Sequence, residues 1–121
     1  MTILLIGAGG FAGAVCRYGM GLLTKSFSDS FPWGTLLVNF IGSFCIGMVF
    51  QITLKWNVDE RIAGMVMLGI LGGFTTFSTF SLETLRLLEG GNILFALLNI
   101  LLSVTACVFA AWLGKLVIRA I

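Results

Sequence analysis

Four long apolar runs separated by short polar stretches set the pattern of this chain. Residues 2–24 hold a single charge, Arg17. Residues 33–54 hold none, and 62–82 hold none, with a helical pattern that runs on to Leu88. Residues 90–114 are also uncharged and are followed by Lys115 and Arg119. About 20 mostly apolar residues, rising 1.5 Å each, cross a hydrocarbon core ~30 Å thick. Each run therefore predicts one membrane-spanning helix, with expected spans of 2–24, 33–54, 62–88 and 90–114 in a single transmembrane domain over 1–121. The connections are short: KSFSDSFP (25–32), KWNVDER (55–61) and the turn near Glu89-Gly90-Gly91-Asn92. Pro32 suits a helix entry, and Trp33 and Trp56 suit the interfacial aromatic belts.

Composition agrees with an all-α integral membrane protein. The 121 residues are 59% hydrophobic and only 10% charged, where a soluble domain carries about 25% charged residues. A net charge of +2 without any basic cluster points away from nucleic acid as a partner. Histidine is absent, which removes His-based zinc sites, Ser-His-Asp and Cys-His nucleophiles and imidazole relays. Cys16, Cys45 and Cys107 lie far apart in apolar runs, so they read as small core residues rather than a disulfide or metal framework. Ala12-Gly13-Ala14 after an apolar run has the look of a signal-cleavage site. No Lys or Arg precedes that run, however, so a retained first span is expected.

Charge placement leaves orientation open. With both termini on one side, that side carries Lys55, Arg61, Lys115 and Arg119, against Lys25, Arg86 and Arg17 on the other. Four against three is a feeble positive-inside bias. It is compatible with one fixed orientation or with insertion both ways.

The front of the chain contains a decoy. ILLIGAGGFAGA (3–14) has the Gly7-x-Gly9-x-x-Ala12 spacing of a dinucleotide-binding turn, and Asp29 lies about where the ribose acid belongs. No second strand follows, and within a spanning helix Gly9-x-x-x-Gly13 with Ala8 and Ala12 gives a smooth face for close packing instead.

Polar side chains inside lipid are costly and seek a partner helix or an aqueous path. Thr35, Asn39 and Ser43 recur every four residues and share one helix face, as interhelical ties or as the lining of a path. The third run contains GGFTTFSTFS (72–81). A continuous helix over 62–88 would be about 40 Å long, more than the bilayer needs. Gly72 and Gly73 are weak helix formers, and the β-branched Thr75 and Thr76 follow, so a break near Gly72–Thr76 is expected. Broken backbone at membrane depth survives only where it is buried in protein or lines a cavity. The residues allow a plain glycine kink, or carbonyls of Gly72 to Thr75 turned toward a cation. Past the break, Phe77 and Phe80 share a face with Ser81 beside them, while Thr76, Thr79, Phe80 and Glu83 form an adjoining strip. A phenyl ring has a negative face and a positive edge, so edge-on it receives an anion and face-on it attracts a cation. On the fourth run Asn99, Ser103 and Cys107 share a face.

GGFAGAVCRY (9–18), GTLLVNFIGSFCIG (34–47) and GGFTTFSTFSLE (72–83) resemble the bacterial fluoride channels called CrcB or Fluc, in order and across all four expected spans. The resemblance implies a dual-topology antiparallel homodimer with two pores in the inner (cytoplasmic) membrane. It implies passive, selective fluoride export that confers resistance to fluoride, without enzymatic chemistry. Asn39 would line the pore, and Phe77 and Phe80 would meet fluoride through their ring edges. Ser78, Thr79, Ser81, Glu83 and Ser103 would belong to a polar track or its surroundings. Arg17 would stand in the vestibule, and the carbonyls of Gly72 and Thr75 would hold a structural Na+ at the dimer centre. The competing function is a small proton-coupled exporter of cationic drugs. That class needs a carboxylate deep in the first helix, and residues 2–24 contain none.

Overall fold

The computed structural model describes all 121 residues, Met1–Ile121, as helices joined by short turns, without strands. Helix α1 spans Thr2–Thr24, and a 3-10 turn over Lys25–Phe27 leads toward α2, Trp33–Trp56. The third span is composite. Its first part, called α3 here (residues 60–74), begins as α-helix over Glu60–Gly64, widens to π-helix over Met65–Leu71 and closes as a short α turn over Gly72–Phe74. Thr75 and Thr76 then take extended backbone (φ −77°, ψ 158° and φ −151°, ψ 117°) before α4, Phe77–Glu89. The last helix, α5, spans Ile93–Ala120.

Several boundaries differ from those expected. The fourth run becomes helical only at Ile93, because Gly91 turns the chain at φ +80°. It then continues past Lys115 to Ala120. At its other end α2 runs on to Trp56 and stops where Asn57 adopts the left-handed conformation, φ 49°, one of the few side chains that tolerate it.

The four spans are long and apolar enough to cross a membrane, and the molecule is built for apolar surroundings. Only 20 of its 121 residues are buried, and Ile3, Leu4, Phe11, Leu68 and Val108 stand outward. With so little side-chain core, the helices hold together through close backbone approach. Helix α1 packs on α3, and α2 packs on α5. In the first pair, a Cβ on Gly9 would lie 2.6 Å from the Met65 carbonyl oxygen, and one on Gly73 would lie 2.6 Å from that of Gly10. In the second, a Cβ on Gly47 would collide with the Ala111 carbonyl, and one on Gly114 with that of Phe44.

This corrects the expected role of Gly72 and Gly73. Both remain within a helical turn, and Gly73 serves the crossing with α1. The residues that leave helical geometry are the two threonines after them.

Candidate functional site

Extended backbone at Thr75 and Thr76 interrupts the hydrogen-bond ladder, so its groups need other partners at this depth. Asn39, in the first third of α2, supplies two. The Thr76 N–H donates to Asn39 Oδ1 at 2.8 Å, and Asn39 Nδ2 donates to the Thr76 carbonyl at 3.0 Å. From α1, Arg17 donates to the Thr75 carbonyl at 3.2 Å. Thr75 keeps one link to the preceding turn, its N–H and its hydroxyl both donating to the Leu71 carbonyl, at 2.9 and 2.8 Å.

Thr76 starts α4 as its N-cap. Its Oγ1 accepts from the Thr79 N–H at 3.1 Å, and its hydroxyl donates to Thr79 Oγ1 at 3.1 Å, the arrangement that satisfies an orphan donor at a helix start. This cap sets the register of α4 and hence the Phe77–Phe80 pair, whose ring centres are 5.3 Å apart. The two rings differ in surroundings: Phe80 is 8% exposed and Phe77 is 77% exposed.

A groove of about 400 Å³ runs beside this pair. Its walls include Asn39, Ser43, Gly72, Thr75, Thr76 and Ser103 as well as both phenylalanines. A larger, more polar space, a vestibule of about 930 Å³, is bordered by Arg17, Lys25, Thr35, Thr79, Glu83 and Arg86 among others. Thr76 borders both spaces. Thr35 donates to Glu83 Oε1 at 2.9 Å, while the buried Glu83 Oε2 has no hydrogen-bond partner. The face expected from Thr35, Asn39 and Ser43 is thus turned toward α4 and the groove.

Not every candidate residue joins this arrangement. Ser78 and Ser81 are exposed and border neither space. The Ser81 hydroxyl donates back to the Phe77 carbonyl at 2.9 Å, and that of Ser78 lies 3.3 Å from the Thr76 hydroxyl.

Thr84, by contrast, was not singled out from the sequence and holds a central place. Asn99, 1% exposed, donates from Nδ2 to Thr84 Oγ1 at 2.9 Å, and Thr84 donates to the Phe80 carbonyl at 2.8 Å. Ser103 donates to Asn99 Oδ1 at 3.4 Å. The chain of bonds runs from α5 to the backbone of Phe80. The legible signal was spacing, because Thr84 follows Phe80 by four residues and so shares its face.

The family model described as "CrcB-like protein, Camphor Resistance (CrcB)" matches residues 4–115. The chain belongs to this family. A relative from Magnetococcus marinus (strain ATCC BAA-1437 / JCM 17883 / MC-1) is 48% identical over 123 residues, covering 100% of both chains. One from Campylobacter jejuni subsp. jejuni serotype O:23/36 (strain 81-176) is 45% identical over 119 residues, 98% of each chain. One from Geobacter sp. (strain M21) is 46% identical over 121 residues, 98% of this chain and 95% of the relative. All three relatives are named fluoride-specific ion channel FluC. As a CrcB-family protein with four such helices, the chain is a multi-pass membrane protein.

Proposed function

We propose that this CrcB-family protein is a fluoride-selective channel, not an enzyme, which lets the anion leave passively across the cytoplasmic membrane and so confers fluoride resistance. The observation that carries this is the juxtaposition at the helix break: a phenylalanine pair beside amide and hydroxyl donors, at the junction of a vestibule and a groove. Relatives matched over 98–100% of their length carry the fluoride-channel name.

Fluoride is small and strongly hydrated, so a pore must replace water with hydrogen-bond donors while binding weakly enough to release the ion. Suitable donors remain after the internal bonds are made. Asn39 spends one of its two Nδ2 hydrogens on Thr76, which leaves the second. Thr79 accepts from Thr76, so its own hydroxyl hydrogen is uncommitted. The positive rims of Phe77 and Phe80 assist more weakly. Arg17, Lys25 and Arg86 outnumber the carboxylates of Asp29 and Glu83 around the vestibule, an excess of positive charge that raises the local anion concentration, and neutral groups take over at the smaller groove. Ser103 and Glu83 extend this track. Ser78 and Ser81 stand at its margin.

The working assembly is an antiparallel homodimer of dual topology with two pores. The exposure of Phe77 and the open groove beside it support a second copy as the missing wall. At the subunit contact, the carbonyls of Gly72 and Thr75 would hold a structural Na+. Hard oxygen donors suit such an ion, and both residues border the groove. The bound cation would supply fixed positive charge that neutralises facing carbonyls.

Purified protein in liposomes under a fluoride gradient tests the function. A fluoride electrode should register efflux, reduced in Phe77→Ile and Phe80→Ile while dimers persist in cross-linking. Efflux equal to that of protein-free vesicles would refute the channel.

A further inference from the structure

In an unbroken helix the Gly72 carbonyl would receive the Thr76 N–H and the Thr75 carbonyl would receive the Thr79 N–H, each four residues on. Both donors are diverted to side-chain oxygens. The Thr76 N–H goes to Asn39 Oδ1 at 2.8 Å, and the Thr79 N–H goes to Thr76 Oγ1 at 3.1 Å. The two carbonyls deprived of their helical donors are the pair proposed above as cation ligands. The coincidence is specific, because the second diversion depends on the first. Thr76 serves as an N-cap only while its backbone is extended, and Asn39 grips that extended residue on both its N–H and its carbonyl.

We infer that Asn39 is a positioning residue for the break itself. Its side-chain amide takes the place of a helical turn at Thr76 and thereby keeps the helical donors off the Gly72 and Thr75 carbonyls; the Thr75 oxygen accepts from Arg17 at 3.2 Å, and its second lone pair is what it would offer a cation. This rests on the cation site in the proposed function and adds a coupling to it. One side chain on α2 presents a donor to the anion path and, through the backbone it holds, sets the oxygen pair of the cation site. Without the amide, the helical bond from Thr76 to Gly72 is the nearest alternative partner. A buried N–H left unpaired is costly, so the span would close into a continuous helix.

Two variants separate this from a general structural role. Asn39→Ala removes both bonds, whereas Asn39→Asp keeps the acceptor for the Thr76 N–H and loses the donor. Full-length protein in detergent is labelled with 13C-threonine, and the Thr76 Cα shift is read as extended or helical. In parallel, thermal unfolding is followed with sodium chloride or with N-methyl-D-glucamine chloride at equal ionic strength. Wild type and Asn39→Asp should show an extended shift at Thr76 and a rise in Tm with sodium. Asn39→Ala should show a helical shift and need about tenfold more sodium for the same rise. Phe80→Ile should lose fluoride flux but keep both signatures.

An extended Thr76 in Asn39→Ala with undiminished response to sodium would overturn the inference. A helical Thr76 in Asn39→Asp would do so too, and that variant remains decisive if Asn39→Ala does not assemble. Wild type indifferent to sodium would overturn the cation site and its coupling to Asn39. Its Thr76 shift would still report whether Asn39 holds the break.

Discussion

Gly42 offers a sharp test of how the break is held. It lies on α2 three residues after Asn39, and a Cβ added there would collide with Thr75 Cγ2 and touch Phe74 Cδ1 at 3.4 Å. Thr75 cannot turn away freely, because its hydroxyl is bonded to the Leu71 carbonyl at 2.8 Å. Either that bond breaks, at about 0.5–1.5 kcal/mol, or α2 and the break separate, with an overpacking cost of about 1–3 kcal/mol. Gly42→Ala should therefore lower unfolding stability by about 1–3 kcal/mol, with fluoride flux in liposomes falling at least ~10-fold, because a displacement near 1 Å suffices to spoil a positioned site. The offending atom is a methyl, so Thr75→Ser removes it while retaining the hydroxyl. The double variant Gly42→Ala with Thr75→Ser should regain most of both losses, giving a coupling energy of at least ~1 kcal/mol in a double-mutant cycle. Additive effects of the two substitutions, or wild-type flux in Gly42→Ala alone, would refute the reasoning.

Three further outcomes follow from the contacts described. Gly114→Ala, which drives a Cβ against the Phe44 carbonyl, should destabilise by about 1–3 kcal/mol, while Gly7→Ala, with nothing within 4 Å, should be neutral or stabilising by up to ~1 kcal/mol; equilibrium unfolding distinguishes them. Asn99→Leu strips the donor from Thr84 and the acceptor from Ser103, and should cost about 1–3 kcal/mol in unfolding assays while slowing flux by loosening Phe80. Arg17→Gln removes a full charge from the vestibule, so flux at low salt should drop several-fold, and the gap from wild type should narrow as ionic strength rises and the Debye length falls below ~10 Å; a gap independent of salt would argue against electrostatic attraction of the anion.

Apolar patterning alone settled the number of spans and the polar residue types placed within them. Both follow from transfer energetics: apolar runs of this length belong in lipid, and an asparagine or a hydroxyl-rich segment inside one must find partners wherever it sits. The sequence also located the region of GGFTTFSTFS, but its glycines drew attention to the wrong atoms. Gly72 and Gly73 are weak helix formers, yet they stay helical because α1 packs directly against that turn, and neighbouring backbone leaves no room for a side chain at Gly73. The departure from helical geometry falls on Thr75 and Thr76, where Asn39 and Arg17 supply the lost hydrogen bonds. No local propensity encodes that choice, since the partners lie 37 and 58 residues away in the chain. The same limit hid Thr84, whose importance comes from the Asn99 amide delivered to it by α5, and the Thr35 bond to Glu83 across two helices. Spacing told which side chains share a face; only the packed bundle decided what each face meets.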